Sequence, residues 1–267
     1  MSNSICYENS FADIHNHGTI TRISYIRCSP PRRLRPKGTL VLLHDFFKTN
    51  YQFRYVVDLF AMGGFVTIIP NLPGKHISIR HQPDARVSLD SLCSDLASFL
   101  RLDIINERVH LVGIGMGAHL ASTLSSRHDS KVASMVLVDA QTSQKSADAL
   151  KFLSSMPAKI PSTVRRNAFA RYLDIQSENT SLLSSEDINE YADSFSEPRV
   201  LLNMQQAYHS FQSTDCNLKD TSEPMRSLAW SPEEQPEDFT VAVLSVLKLS
   251  TPLKSTKQHF QLHTSRL

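Results

Sequence analysis

The chain has 267 residues, of which 41% are hydrophobic and 20% are charged, a composition typical of a globular protein with a full core. Its net charge of +2 is too small for the strong positive field of a nucleic-acid-binding protein, so we expect no nucleic-acid partner. The beginning of the chain lacks a signal-peptide pattern, and no apolar run approaches the ~20 residues that cross a bilayer. We therefore expect an intracellular, soluble protein without a membrane span. The four cysteines lie far apart, which predicts reduced thiols and no metal site.

Strand and helix patterns alternate through the first half of the chain. Thr19–Ile26 alternates and suggests an antiparallel edge hairpin, whereas Thr39–Leu43 and Phe65–Ile69 are continuous apolar runs typical of buried strands. A helical spacing lies between these two runs and ends at the pair Gly63-Gly64. The pattern predicts a β-α-β unit.

The same alternation continues after this unit. Leucines mark one face of a helix over residues 89–100, Val109–Val112 forms a strand, Ala118–Leu124 a helix and Met135–Val138 a further strand. Strands that alternate with helices imply a mostly parallel sheet with helices on both faces, so the predicted fold class is α/β.

The sequence pattern changes near Ser146, where short predicted helical segments begin and prolines interrupt them. The run Ser184-Ser185-Glu186-Asp187 resembles a helix start. Phe239–Leu247 is predicted as a final strand, and the residues after it have no strong period. We divide the chain into a core over residues 1–145, a helical cap insertion over 146–212, and a degenerate or truncated C-terminal part of the core over 213–267.

A glycine-rich turn follows the strand at Val109 and precedes a helix. Gly113 and Gly117 flank Gly115 as in the G-x-nucleophile-x-G elbow that lifts a nucleophile above a sheet. The same residues, with Ala118, also satisfy the dinucleotide pattern G-x-G-x-x-G/A, and Asp139 ends the next strand near where a ribose-binding acid would lie. A preceding β-α-β unit favours the elbow, and the dinucleotide-binding oxidoreductase stays as an alternative.

Three blocks in order resemble the α/β-hydrolases of the epoxide hydrolase, esterase and haloperoxidase type. They are Leu42–Phe46, Met62–Gly74 with its Asn71-Leu72-Pro73-Gly74 turn, and the elbow. Glu186–Tyr191 and residues 195–198 are similar to the helical cap of the same group. The resemblance implies an α/β-hydrolase fold with a helical cap and an incomplete C-terminal end.

The resemblance also implies the places of the catalytic groups. Gly115 stands at the nucleophile position and has no side chain that could attack. Asp139 stands where some members carry the catalytic acid, and His259, with His263 beside it, is the candidate base. Ordinary covalent hydrolysis is therefore in doubt.

Two backbone N–H groups are expected to form the oxyanion hole. By family position these belong to Phe46 and Met116, and a glycine substitution at the nucleophile leaves them in place. Asp45 replaces the usual glycine beside them, and its carboxylate could point away or could repel a developing oxyanion.

The function predictions form three alternatives. The first is a hydrolase-family protein acting on an ester, thioester or epoxide of a fatty-acyl or polyketide-like compound, without a cofactor. The second is an inactive binding protein for such a small ligand or for a partner, and the third is the oxidoreductase. An unfinished sheet would leave an unpaired strand edge and an uncovered apolar face, which favours an oligomer.

The last three residues, Ser265, Arg266 and Leu267, conform to the loose form of the S-K-L peroxisomal signal. This tail predicts peroxisomal localisation and the peroxisomal import receptor as a partner. Together with a capped α/β-hydrolase, it resembles the peroxisomal hydrolases of fungal host-selective-toxin clusters and implies a role in toxin biosynthesis.

Overall fold

The computed structural model describes residues 4–16, 18–46, 48–72, 79–80, 87–127, 131–138, 148, 151–152, 155–157, 160–176, 183–194, 198–213 and 231–247. These ranges contain a seven-stranded mixed sheet. Its strands are β1 (Cys6–Asn16), β2 (Thr19–Ser29), β3 (Thr39–Leu43), β4 (Val66–Pro70), β5 (Ile79–Arg80), β6 (Val109–Ile114) and β7 (Val132–Val138). The helices are α1 (Val57–Met62), α2 (Leu89–Leu100), α3 (Met116–Ser126), α4 (Ser162–Gln176), α5 (Ser185–Ser194), α6 (Pro198–Ser213) and α7 (Pro236–Val246), with a 3₁₀ turn at Asn50–Phe53.

The strand order is β1-β2-β4-β3-β6-β7, with β5 paired to β2. The β1–β2 hairpin is antiparallel, as its alternation predicts, and β2 pairs antiparallel with β4. The pairs β4–β3, β3–β6 and β6–β7 are parallel. The α/β-hydrolase fold expected from the sequence is confirmed, and the carboxyl ends of β3, β4 and β6 meet at one edge, where ligands bind in open α/β sheets.

Every residue of β3 and β4 is buried, because helices cover both faces of the parallel part of the sheet. One core cluster joins this sheet to α2, α3 and the helices α4–α6. The other lies on the opposite face, where Phe60 of α1 packs with Phe239 and Val243 of α7.

The strand predicted over Phe239–Leu247 is wrong, because residues 236–246 form α7. Pro236 occupies the first turn, where a missing N–H costs nothing, and Glu237 and Asp238 follow at the positive end of the helix dipole. Phe239 and Val243 lie one turn apart on the buried face. The β-branched residues of this segment favoured a strand prediction, although the residues at its start are typical of a helix N-terminus.

Helix α7 also corrects the expectation of an uncovered apolar face, because it covers the α1 side of the sheet. At the sheet edge, β7 pairs with β6 alone within the part of the chain that the structure describes. Association through this edge therefore stays a prediction. None of the described helices is long and apolar enough to cross a membrane.

Candidate functional site

The turn between β6 and α3 is packed so closely that its flanking residues must be glycine. A Cβ at Gly113 would lie within 3.0 Å of Gly117 backbone atoms, and a Cβ at Gly117 would lie equally close to the Leu43 carbonyl. Any side chain at either position would push α3 away from β3 and β6. This is the packing expected of the strand–turn–helix elbow.

Gly115 has the strained backbone of an elbow without the side chain that the strain usually serves. Its φ of 52° and ψ of −114° are rare for residues other than glycine. In a nucleophile-bearing elbow these angles raise the central side chain over the sheet edge. Here the turn keeps the geometry and offers no attacking atom of its own.

The carboxylate of Asp45 fills the space beside Gly115. Its Oδ1 accepts hydrogen bonds from the backbone N–H of Phe46 at 2.6 Å and from that of Met116 at 2.9 Å. These are the two N–H groups predicted for the oxyanion hole, and both point at one oxygen. The question that the sequence left open is answered: the carboxylate points into the hole.

An occupied oxyanion hole cannot stabilise a tetrahedral intermediate unless Asp45 leaves it. Hydrogen bonds to a charged acceptor contribute about 1.5–3 kcal/mol each, and Asp45 Oδ1 accepts two of them. The Asp45 backbone is also fixed, since its N–H donates to Gln52 Oε1 at 2.9 Å. A substrate carbonyl would have to displace an anchored anion to reach the donors.

Aromatic side chains of the α4–α6 segment cover Phe46. The Tyr172 hydroxyl donates to the Phe46 carbonyl at 3.3 Å, and the rings of Tyr208 and Phe211 meet the Phe46 ring edge to face. Phe46 and Met116 are buried, whereas Asp45 and Gly115 keep partial exposure. The two oxyanion donors therefore belong to residues that are more enclosed than Asp45 and Gly115.

His44 lies next to Asp45 and has a structural role. Its Nε2 accepts from the Leu72 N–H at 3.0 Å, which makes Nδ1 the protonated nitrogen that faces the Asp45 carbonyl, also at 3.0 Å. The fully buried ring links the ends of β3 and β4.

The remaining predicted site residues lie outside the described part of the chain. They are the candidate acid Asp139, the candidate bases His259 and His263, and the tail Ser265, Arg266 and Leu267. Their roles stay predictions.

A buried cluster of four charged side chains includes Lys48, which follows Asp45 closely in the chain, and sequence analysis did not find this cluster. Glu233 accepts from Lys48 Nζ at 2.6 Å and from Arg54 Nη1 at 2.7 Å, and Asp187 lies 2.9 Å from Arg54 Nη2. All four side chains are at most 8% exposed. The cluster joins the turn after β3 to α5 and to the segment before α7, and its formal charges cancel.

Tyrosines complete the hydrogen bonding of this cluster. The Tyr191 hydroxyl donates to Glu233 at 2.7 Å, and the Tyr51 hydroxyl donates to Asp187 at 2.9 Å. Burial raises the pKa of both tyrosines, which keeps them protonated as donors. Burial alone would also raise the pKa of Glu233, but the neighbouring cations outweigh it and lower that pKa.

Asp187 shows why the helix start at Ser184 could be predicted and the ion cluster could not. Its carboxylate accepts from the Ser184 N–H at 2.8 Å, and Ser184 Oγ accepts from the Asp187 N–H at 3.1 Å. This reciprocal cap is a local signal. The contact with Arg54 spans a large sequence separation, so only the fold reveals it.

A cavity of about 280 Å³ opens between the hairpin and α5. Its walls are largely aromatic and apolar, and Arg54 and Glu190 contribute charged groups. Although Arg54 is otherwise paired, its Nε–H has no hydrogen-bond partner among the described residues. The lining residues include Tyr7, Phe11, Tyr25, Tyr51, Ile69 and Asn71.

Comparison with known proteins identifies the class to which this fold and elbow belong. Residues 38–215, more than half of the chain, match the family described as alpha/beta hydrolase fold. The chain therefore belongs to the α/β-hydrolase family. This membership favours the elbow interpretation of Gly113–Gly117 over the dinucleotide fingerprint.

One curated relative is an AB hydrolase superfamily protein from Gibberella zeae, 26% identical over 99 residues. That match covers 37% of this chain and about a third (34%) of the relative's length. Among solved structures, a candidate α/β-hydrolase from Nostoc sp. PCC 7120 has a TM-score of 0.69 at 19% identity, covering 91% of this chain and 99% of its own. The epoxide hydrolase CorEH has a TM-score of 0.58 at 20% identity, covering 76% and 73%. These structures share the fold.

Proposed function

We propose that this α/β-hydrolase-family protein binds a small neutral acyl or polyketide-like compound and does not hydrolyse esters or thioesters. The observation that carries the proposal is the Asp45 carboxylate on both oxyanion donors, beside an elbow whose central residue is Gly115. Acyl transfer needs a nucleophile and a free oxyanion hole. The elbow supplies neither.

The cavity between the hairpin and α5 supports the binding part of the proposal. Aromatic and apolar walls with a few polar groups are typical of ligand sites. The Glu190 carboxylate in this lining disfavours an anionic ligand. A neutral compound with an apolar chain fits this lining.

The test is calorimetric titration of the full chain with 6-pentyl-2-pyrone, a neutral polyketide-like probe. We expect binding without turnover, and Phe11→Ala should weaken it about tenfold, because an aromatic wall contact contributes about 1 kcal/mol or more. Ile20→Ala is the matched control, since Ile20 is an exposed apolar residue of the same hairpin that does not line the cavity. No heat of binding, or equal loss in both variants, would reject this site.

The proposal extends to location and pathway. The tail Ser265-Arg266-Leu267 fits a peroxisomal address, and its combination with this family resembles the toxin-cluster hydrolases, so we propose a ligand from secondary metabolism. An N-terminal fluorescent fusion should co-localise with a peroxisomal marker, and deletion of the three residues should release it to the cytosol. Diffuse fluorescence from the intact fusion would refute the address.

A further inference from the structure

The connection between β2 and β3 presents a dense group of positive charges. This segment, the basic turn, spans residues 30–38 and contains no acidic residue. Its cationic residues are all exposed, namely Arg32, Arg33, Arg35 and Lys37. Within the described part of the chain, none of its three arginines forms an ion pair. No carboxylate of the described residues therefore neutralises these arginines.

Backbone hydrogen bonds and prolines hold the basic turn in place. The Leu34 N–H donates to the Pro31 carbonyl at 2.8 Å, which closes a tight turn that contains the first two arginines. The Lys37 N–H donates to the Gly64 carbonyl, also at 2.8 Å, and ties the turn to the residues before β4. Pro30 and Pro31 are buried at its base. Because this backbone is already ordered, a partner that binds the arginines does not have to order it.

The basic turn lies at the edge of the sheet opposite the elbow. It precedes β3, and the segments that precede β4, β6 and β7 reach the same edge, because these four strands are parallel. The described residues of these segments, 30–38, 63–65, 101–108 and 131, include seven cations and two acids. The further cations are Arg101, Arg108 and Lys131, and the acids are Asp103 and Glu107. This edge therefore carries a net charge of +5, whereas the whole chain carries +2.

We propose that the basic turn docks the protein on an anionic membrane surface. Anionic lipid headgroups attract basic segments over about one Debye length, ~8 Å at physiological salt. The rest of the chain carries a net charge of −3, since this edge holds +5 of a total of +2. An anionic surface therefore attracts this edge and repels the remainder, which orients the protein. The proposal concerns neither the elbow nor the cavity, and it requires no membrane-spanning helix.

An exposed apolar side chain beside the basic turn favours a lipid surface over a nucleic acid. Met62 is 38% exposed at the end of α1. It lies two residues before Gly64, against which Lys37 packs its aliphatic stem. A membrane surface accepts an apolar group between cations, because acyl chains lie directly beneath the headgroups. A nucleic-acid backbone offers Met62 no such apolar partner.

The test is co-sedimentation of the full chain with phosphatidylcholine vesicles that contain about one-fifth phosphatidylserine. We expect binding at about 0.1 M salt, loss of binding at about 0.5 M salt, and none to pure phosphatidylcholine, because salt screens the attraction. Binding that is equal on neutral vesicles, or absent on anionic ones, would overturn the proposal. Both comparisons use the unmodified chain, so they remain decisive if a variant does not fold.

Two triple variants locate the binding surface. With Arg32→Gln/Arg33→Gln/Arg35→Gln, affinity for the anionic vesicles should fall about a hundredfold, since each cation near the surface contributes about fivefold. The matched control, Lys151→Gln/Arg171→Gln/Arg199→Gln, removes three charges from exposed residues in and before the helices that lie over the elbow. It should lose less than about threefold, because those residues face away from the docked surface.

Two further outcomes would reject the basic turn as the docking surface. An equal loss in both triple variants would show that net charge governs binding and not the position of the cations. Capture of a DNA duplex without binding to anionic vesicles would assign this edge to nucleic acid. Urea unfolding of both variants confirms that each is folded before the affinities are compared.

Discussion

Glu233→Gln is expected to lower the free energy of unfolding by about 3–5 kcal/mol, the cost of breaking a buried ion pair by removing one partner. Glutamine keeps the size of the side chain and removes its charge, which leaves Lys48 and Arg54 with one carboxylate between them. Equilibrium unfolding in urea measures the change. Glu237→Gln, at an exposed position four residues away, should cost less than about 1 kcal/mol.

In Glu233→Gln, the free energy of unfolding should also fall less on acidification than it does in the parent chain. The pKa of Glu233 is lowered in the fold, because Lys48 and Arg54 outweigh its burial. Its contribution is therefore present above the unfolded pKa of about 4.3 and is lost as the pH falls through the lower folded pKa. An equal loss of unfolding free energy below pH ~4 in the variant and the parent chain would contradict the cluster as described. A Glu233→Gln effect no larger than that of Glu237→Gln would contradict it as well.

Gly115→Ser is expected to destabilise the protein by about 1–3 kcal/mol and to restore no ester hydrolysis. The added Cβ would collide with the Asp45 carboxylate, so a serine cannot enter the elbow while Asp45 holds the oxyanion donors. Thermal unfolding and release of 4-nitrophenol from 4-nitrophenyl butyrate measure the two effects.

A second glycine of positive φ helps to separate collision from backbone strain. Gly18 has a φ of 76° and nothing within 4 Å of its Cβ position, so Gly18→Ser reports the cost of a positive φ without a collision. The double variant Asp45→Gly/Gly115→Ser should recover the stability that Gly115→Ser loses beyond that cost. Robust ester turnover by Gly115→Ser alone would show that Asp45 does not obstruct the elbow.

Local patterns were sufficient to predict the α/β class, and the α/β-hydrolase type followed from the family resemblance of three sequence blocks. The apolar run Thr39–Leu43 corresponds residue for residue to β3, and the leucine spacing over 89–100 corresponds to α2, because burial on a sheet or on one helix face imposes its period on the sequence. One element was assigned wrongly, α7, where β-branched residues resembled a strand and tertiary packing outweighed propensity.

The candidate site was predictable only in part. The glycine spacing located the elbow, and family position located the Phe46 and Met116 donors. The direction of the Asp45 side chain depends on a contact across 71 positions with Met116, and the Lys48–Glu233 pair spans 185. Contacts between residues so far apart in the chain produce no periodic pattern in a single sequence, so sequence analysis could not predict them.

The most direct measurement is the pre-steady-state release of 4-nitrophenol from 4-nitrophenyl butyrate by the full chain. With Asp45 on the oxyanion donors and Gly115 at the centre of the elbow, we expect no burst and no acylated residue at the elbow. A burst equal to the protein concentration, with the acyl group mapped to the elbow, would contradict a hole filled by the protein's own carboxylate.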